Sequence, residues 1–330
     1  MPTHPNILAN TLGATPPARP QPRAVWACPT GEVLDEAQSP ATTAGLARAV
    51  AWVARRTGAD LDALWVIEGV GTYGARLARA AADAGYAVAE APRMNARANR
   101  GVGKSDPLDA RRIAQAALPL DHTQLRLPRT DEGARAALRI LIASRDHITN
   151  ERTAAINALI ALLRVVDLGI DARGTLNTGR ISEIAAWRAR AEELSIGVAR
   201  AEAVRLAKRV RTADRELGDL TLQMTALLNE SPAAGLLDQP GIGPVTAAIA
   251  YAAWSHPGRI RSEAAFASLA GVNPIPASSG NTVRHRINRG GDRRLNRALH
   301  MAVVTRMRMD PETRAYVDKR TAQGLSLIHI

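Results

Sequence analysis

The chain has 330 residues, 46% of them apolar, which is long and apolar enough for two or three domains with buried cores and excludes a wholly disordered chain. A net charge of +12 favours a polyanionic partner, nucleic acid before an anionic membrane surface. The single cysteine, Cys28, excludes an intrachain disulfide framework and fits a cytoplasmic setting, and no apolar run is long enough to span a bilayer. With aromatics at 3%, base stacking on an aromatic platform is not the expected binding mode.

The first part of the chain alternates between strand and helix patterns. Residues 1–24 show no periodicity, and their Pro- and Arg-rich stretch predicts little regular structure. From residue 25 to about 125 the pattern predicts an α/β domain. Its predicted elements are two strands around a turn at Thr30-Gly31, a helix over Leu46 to Arg56, a strand over Leu64 to Glu68, a helix over Ala75 to Gly85, a strand over Tyr86 to Glu90, and a helix from Asp106 to about Ala117.

The rest of the chain predicts an all-α region. Apolar residues recur at helical spacing over 131–166 and again over 181–228, with a Gly/Asn-bearing segment between them. Residues 126–230 therefore form either a paired, coiled-coil-like arm or an ordinary helical bundle. A third block, 231–324, has small helices, turns and a basic end, with eleven Lys and Arg against four Asp and Glu between Gly280 and Arg320.

Three carboxylates form the first candidate site. Glu68 ends a predicted strand, where α/β sheets place ligand-binding groups. Asp106 and Asp109 lie in KSDPLDA, and their spacing of three puts both near one face of the first helical turn. Carboxylates converging without His or Cys suit Mg²⁺ and phosphodiester chemistry. The alternative is that Asp106 merely caps the helix and Asp109 is a solvated acid.

The Gly-rich turn after Glu68 also allows a different hypothesis. GVGTYG fits G-x-G-x-x-G between a strand and a helix, and Glu90 ends the next strand, where a ribose-binding acid stands in dinucleotide-binding folds. Glu68 beside the pyrophosphate and the basic charge of the chain argue against this dinucleotide-binding alternative.

A turn at residues 240–244 forms a second candidate site. The sequence PGIGP separates two predicted helical segments and is typical of a helix-hairpin-helix element. Gly241 and Gly243 allow backbone N–H groups to approach a phosphate at the start of the following helix. The alternative is a plain corner between two helices.

A serine pair followed by arginines forms the third candidate site. Ser278 and Ser279 precede Gly280 in PASSGN, and a serine beside phosphate-binding groups can attack a phosphodiester. Bidentate arginine forks suit phosphates. The alternative is that the serines only make a turn while the arginines bind nucleic acid without catalysis. The arginines are Arg284, Arg286, Arg289, Arg293, Arg294 and Arg297.

Taken in order, these motifs resemble a known family, the DEDD insertion-sequence transposases of the IS110 group, which are bridge-RNA-guided serine recombinases. The resemblance covers about residues 25–324 and rests on VIEGVGTYG, GKSDPLDARRIA, LDQPGIGPVTAA, LAGVNPIPASSG and RINRGGDRRLNRALH. It implies a RuvC-like, RNase H-type domain, a dimerising helical arm and a C-terminal transposase domain with a catalytic serine.

The resemblance also implies roles for individual residues. Glu68, Asp106 and Asp109 correspond to metal ligands for Mg²⁺, and Ser279, or less favourably Ser278, to the nucleophile. Lys104 joins the two glycines and the arginine group named above as nucleic-acid-binding residues. The implied partners are donor and target DNA, a bridge RNA and further copies of the chain in a homodimer or tetramer.

Two departures from the family pattern accompany the resemblance. The family begins with a strand of the type GIDxHK that carries the first aspartate, whereas here the first aspartate is Asp35, which comes too late. The chain also ends in LSLIHI (325–330), which resembles translated sequencing adapter. We therefore expect an incomplete gene product that lacks the central strand and one metal ligand, which leaves the competence of an otherwise expected transposase open. The alternative function is non-catalytic nucleic-acid binding.

Overall fold

A computed structural model describes residues 7–13, 21–27, 33–92, 106–120, 124–129, 132–278, 280–282, 284–286 and 288–325, with only the backbone course described for the first two ranges and for 106–108. The chain divides into two compact units. The first comprises residues 1–131 with 256–261, and the second comprises 132–255 with 262–330.

The first unit is built on a five-stranded sheet. Its strands are β1 (Ile7–Gly13), β2 (Gln21–Ala27), β3 (Val33–Gln38), β4 (Leu64–Ile67) and β5 (Val88–Glu90). The order across the sheet is β3-β2-β1-β4-β5, with β1 antiparallel to β2, β2 antiparallel to β3, and β4 parallel to both β1 and β5. This arrangement is compatible with an RNase H-like domain.

The central strand of the sheet is present, contrary to the prediction from the sequence. The sequence predicts little structure before residue 25 and the loss of the central strand, but β1 occupies the middle of the sheet and β2 begins at Gln21. Pairing on both sides supplies partners for the backbone of β1, which local composition does not reveal. The sequence of β1, ILANTLG, nevertheless contains no acidic residue.

Helices cover both faces of the sheet and fix its core. The helices α1 (Thr43–Thr57) and α2 (Ala75–Asp83) pack with Trp65 and Ile67 of β4 on one face. On the other face α3 (Asp106–Ala117) packs with Leu64 and Val66 of β4 and Ala89 of β5. The predicted helices and strands of this unit are therefore confirmed within a few residues. Apolar burial on both faces explains the continuous apolar run of β4.

The edge strand β3 is tied to helices on opposite faces by two ion pairs. Asp35 lies 2.6 Å from Arg56 of α1, whereas Glu36 lies 2.6 Å from Arg111 of α3. Neighbouring strand residues point to opposite faces, so consecutive acids reach different helices. Asp35 thus lies on an edge strand with a basic partner, which agrees with the expectation that it does not replace the aspartate of the first strand.

Two long helices form most of the second unit. They are α4 (Gly133–Val165) and α6 (Leu194–Asn229), with the short α5 (Thr178–Ala185) between them in sequence. Leu138 of α4 shares a core with Leu228 of α6, and Leu159 of α4 shares another with Ala203 of α6. These pairings require α4 and α6 to run antiparallel; whether they form a coiled-coil-like arm or part of a bundle stays a prediction.

The second predicted helix is interrupted. Residues 186–193 separate α5 from α6, whereas the sequence predicts one helix over 181–228. In this break Glu192 pairs with Arg200 of α6 at 2.6 Å, and the Arg200 guanidinium lies 5.0 Å from the centre of the Trp187 ring. These contacts bend the connection back onto α6, a tertiary effect that helical periodicity does not predict.

The remaining elements pack around one end of the α4–α6 pair. They are α7 (Pro244–Trp254), α8 (Glu263–Ala270), the two-stranded sheet of β6 (Ile275–Pro276) and β7 (His285–Arg286), α9 (Arg293–Met309) and α10 (Pro311–Ala322). Residues of α7, α8 and α9 join α4 and α6 in one core. Among the described residues, no helix combines the length and the apolar character that crossing a membrane requires.

Candidate functional site

Glu68 is the first residue after β4 and is exposed. The chain turns sharply behind it: Gly69 has φ +63°, and the N–H groups of Thr72 and Gly74 donate to the Gly69 carbonyl at 2.7 and 3.0 Å. A Cβ atom on Gly74 would lie 2.4 Å from the Glu68 carbonyl oxygen, so only glycine fits there. Gly69 and Gly74 therefore allow the turn to fold tightly against the end of the strand.

The alternation along β4 indicates which face Glu68 belongs to. Trp65 and Ile67 pack against α1 and α2, whereas Leu64 and Val66 pack in the core that includes α3. Continued by one residue, this alternation assigns Glu68 to the α3 face of the sheet. Glu68 itself lies in the turn that follows β4, so its proximity to Asp106 and Asp109 stays a prediction.

The helix α3 places Asp109 beside its buried stripe. Ala110 and Ile113 are fully buried, and the Asp109 side chain is 17% exposed. Its Oδ1 atom lies 3.2 Å from the Arg112 guanidinium, a partner that sequence reasoning missed although its spacing of three on a helix was visible. Asp106, the predicted cap, is instead the first residue of α3. Its side chain, like the whole of Lys104, lies outside the described residues.

The structure describes two of the three side chains that the sequence predicts as metal ligands. Within the described part of the chain, no three His, Cys, Asp or Glu side chains come together as ligands. The described residues include Glu68 and Asp109 but not the Asp106 side chain. The donor set is all carboxylate, which suits a hard cation such as Mg²⁺, and the strand alternation is consistent with a common face.

The dinucleotide-binding alternative is wrong for this sheet. Three of its five strands are joined antiparallel, whereas a doubly wound dinucleotide-binding sheet is essentially parallel. Glu90, the predicted ribose-binding acid, faces Arg259 at 3.8 Å, and the Arg259 side chain is only 4% exposed. Because Glu90 faces a basic side chain and the sheet is not doubly wound, Glu90 has a structural role in the first unit.

The two glycines of the PGIG turn have different surroundings. Gly241 has φ +78°, and a Cβ atom on it would lie 2.6 Å from the Ala302 carbonyl oxygen of α9, so this glycine is required by packing. Gly243 is the N-cap of α7 and faces open space. The segment before the turn is a three-residue 3-10 helix, Ala234–Leu236, rather than a full helix. A helix-hairpin-helix that binds phosphate stays a prediction, and Gly243 is the better placed of the two glycines.

Ser278 lies in an exposed hairpin formed by β6 and β7. Ala277 N–H donates to the Arg284 carbonyl at 2.8 Å, and the Arg284 N–H donates to the Ser278 hydroxyl oxygen at 3.2 Å. Ser278 therefore helps to hold the hairpin together. Ser279 lies outside the described residues, and its role as nucleophile stays a prediction.

The predicted arginine group separates into two sets. Four of its members are exposed and, among the residues described, have no acidic partner; they are Arg284, Arg286, Arg289 and Arg293. The other two, Arg294 and Arg297 of α9, pair with Asp146 of α4 at 2.7 and 3.5 Å. Asp146 is a residue that sequence reasoning missed, because it lies almost 150 positions before its partners.

Two family models match the chain in the order of its units. The DEDD transposase model of the IS110 type matches residues 23–166, and the model described as "Transposase IS116/IS110/IS902 family" matches residues 233–318. The chain belongs to the IS110 family of transposases. The first match begins within β2, and the second spans the PGIG turn, the serine pair and the arginine group.

Two relatives of the IS110 family chain come from insertion elements. An "Insertion element IS110 uncharacterized 43.6 kDa protein" of Streptomyces coelicolor is 28% identical over 308 residues, covering 79% of this chain and 76% of the relative. An "Insertion element IS900 uncharacterized 42 kDa protein" of Mycobacterium paratuberculosis is 28% identical over 274 residues, covering 68% of this chain and 67% of the relative.

Proposed function

We propose that this IS110-family transposase cleaves and rejoins DNA through a serine–phosphate linkage, guided by a bridge RNA that pairs with donor and target DNA. The observation that carries the proposal is that Leu64 and Val66 of β4 pack with α3, the helix that contains Asp106 and Asp109, and that Glu68 follows β4 directly. A carboxylate cluster and a serine–arginine block, each within a matched transposase model, are the parts that phosphodiester transfer needs.

In the proposed reaction the Ser279 hydroxyl oxygen attacks a backbone phosphorus. A bond forms between that oxygen and phosphorus as one P–O bond of the strand breaks, and the serine proton ends on the departing strand oxygen. Attack by a second strand's hydroxyl reverses the step and restores Ser279. Exposed arginines hold the phosphate by charge-assisted hydrogen bonds. They include Arg286 on β7 and Arg284 directly before that strand.

The proposed metal ligands are Glu68, Asp106 and Asp109. A Mg²⁺ ion in their midst, when bound, offsets the negative charge that develops on the phosphate oxygens. Within this arrangement the Arg112 guanidinium lies 3.2 Å from the Asp109 carboxylate and orients it.

The metal site is tested by Mn²⁺ binding, followed by electron paramagnetic resonance, in the free protein. Glu68→Gln and Asp109→Asn are expected to weaken binding by about tenfold or more each, as loss of a carboxylate ligand does. Asp35→Asn is the matched control, because Asp35 lies on β3 and pairs with Arg56. Equal Mn²⁺ affinity in all four proteins would contradict the assignment.

One observation favours a second candidate function, nucleic-acid binding without cleavage. The central strand β1 contains no acidic residue, whereas the resemblance implies an aspartate on that strand. The two functions are separated by incubating the protein with Mg²⁺, a plasmid carrying the ends of its insertion element, and RNA transcribed from the same element. Strand exchange supports the first proposal, and salt-dependent binding with intact DNA supports the second.

We further propose that the chain acts as a homodimer or tetramer through the α4–α6 arm. Light scattering coupled to size-exclusion chromatography measures the assembly directly. A monomer at micromolar concentration, with or without nucleic acid, would overturn this part of the proposal.

A further inference from the structure

Two arginines of α9 converge on one carboxylate of α4. The Asp146 Oδ2 atom lies 2.7 Å from the Arg294 guanidinium, and its Oδ1 atom lies 3.5 Å from the Arg297 guanidinium. Each carboxylate oxygen therefore serves a different arginine. Asp146 is 30% exposed, whereas Arg294 and Arg297 are 43% and 69% exposed, so both guanidinium groups remain open to a ligand.

The backbone that carries these arginines is held firmly. Leu295 and Ala298, the residues directly after them, are buried in the core that α9 shares with α4 and α7. Arginines three positions apart on a helix are neighbours, and their like charges repel. A carboxylate anchored on the adjacent helix offsets that repulsion and orients both side chains.

The geometry leaves most of the hydrogen-bonding capacity of the pair unused. A guanidinium has five N–H donors in a fixed fork, and here one edge of each is turned towards Asp146. The N-terminus of α9 is not itself an anion site, because the Asp292 carboxylate already accepts hydrogen bonds from the N–H groups of Arg294 and Leu295. An anion at this surface is therefore bound by the side chains.

We propose that Asp146 is a positioning residue that holds Arg294 and Arg297 as a two-arginine cradle for one backbone phosphate of nucleic acid. The inference rests on the proposed nucleic-acid function and adds to it a residue outside both the serine block and the carboxylate cluster. The phosphodiester group is common to DNA and RNA, so the test includes both.

The test measures binding of a labelled DNA duplex and of a labelled RNA hairpin by fluorescence anisotropy over a range of salt concentrations. Asp146→Asn keeps the shape of the side chain but removes its charge. It is expected to weaken binding of the contacted nucleic acid about three- to tenfold and to reduce the salt slope by up to about one, the loss of one phosphate contact. Glu151→Gln is the matched control, since Glu151 is on the same helix and pairs with His147 at 3.6 Å.

A double-mutant cycle separates positioning from a general charge effect. In an Arg294→Gln, Arg297→Gln background, Asp146→Asn is expected to have no further effect on binding. Binding by Asp146→Asn that equals or exceeds the wild type, with both probes, would overturn the inference and make Asp146 a competitor of the phosphate. Wild-type protein that binds neither probe at low salt would instead overturn the proposed function.

If circular dichroism shows that Asp146→Asn does not fold properly, a double variant of the two arginines provides the test instead. Arg294→Lys, Arg297→Lys retains both charges but lacks the planar forks. This variant is expected to bind at least about threefold more weakly than the wild type, since lysine does not reproduce bidentate phosphate contacts. Equal binding would overturn the cradle.

Discussion

The Ser278 hydroxyl oxygen accepts a hydrogen bond from the Arg284 N–H at 3.2 Å, across the hairpin formed by β6 and β7. The neighbouring Ala277 N–H donates to the Arg284 carbonyl at 2.8 Å, so the two ends of the hairpin are joined immediately before Ser279. Ser278 is thus engaged with the backbone. This relationship favours Ser279 as the hydroxyl that is presented to a substrate.

Substituting the two serines separately is expected to give unequal results. Ser278→Ala loses one hydrogen bond, worth about 1 kcal/mol, so formation of the covalent protein–DNA adduct should fall by less than about tenfold. Ser279→Ala should abolish the adduct. The yield is measured on denaturing gels with labelled DNA, and full loss in Ser278→Ala with an active Ser279→Ala would show that the assignment is wrong by one residue.

The PGIG turn offers a test of packing against α9. Gly241→Ala places a Cβ atom 2.6 Å from the Ala302 carbonyl oxygen at a positive φ, and is expected to cost about 2 kcal/mol or more in free energy of unfolding. Gly243→Ala meets open space and should cost less than about 1 kcal/mol as an N-cap change. Urea denaturation of the full chain compares them; equal costs would contradict the described turn.

The stability of the start of α10 is expected to depend on pH. The pKa of Asp310 is lowered from its ordinary value of 3.8, first by the hydrogen bond from the Thr313 hydroxyl and then by Arg306. A lowered pKa means that this contribution to stability is fully present above about pH 4 and is lost as the pH falls through the folded-state value. Hydrogen exchange of the α10 amides, compared between wild type and Asp310→Asn over a series from about pH 6 down to about pH 2, measures the effect.

Acidification is expected to speed exchange in the wild type and to leave Asp310→Asn unchanged beyond the intrinsic pH effect. Asp318 in the same helix supplies the matched control, because Asp318→Asn removes a carboxylate that caps nothing. An identical pH response in the wild type and Asp310→Asn would contradict the prediction.

The local stability of residues 186–193, between α5 and α6, is expected to depend on one ion pair. The Arg200 guanidinium lowers the pKa of Glu192 through its hydrogen bonds, and the Arg200 side chain is only 8% exposed. Glu192→Gln leaves that buried cation without its carboxylate. Amides of residues 186–193 are expected to exchange about tenfold faster in Glu192→Gln than in the wild type. Glu183→Gln, which removes an exposed pair with Arg180, should have no such effect.

Local patterns in the sequence predict most of the first unit. Apolar runs, helical stripes and glycine stops correctly indicate α1 to α3, β4 and β5, because these signals depend on burial of nearby residues. The strand β1 is different: ILANTLG has no strong strand pattern, and its central position depends on pairing with β2 and β4, which local sequence does not encode.

The candidate site is predictable in its residue types but not in its partners. The positions of Glu68 and Asp109 follow from strand and helix ends, and the PGIG motif begins with a turn as predicted. Partners far apart in sequence are invisible to spacing rules. Asp146 beside Arg294 and the α9 backbone beside Gly241 emerge only when separate helices pack together.

The central claim is that this chain joins covalently to DNA through Ser279. The most direct measurement is mass spectrometry of protease-digested protein after reaction with Mg²⁺, plasmid DNA carrying the element ends and the element-derived RNA. The account predicts a nucleotide attached to the peptide that contains Ser279, and specifically to that serine. Cleaved DNA with no attached peptide, or attachment to any other residue, would contradict it.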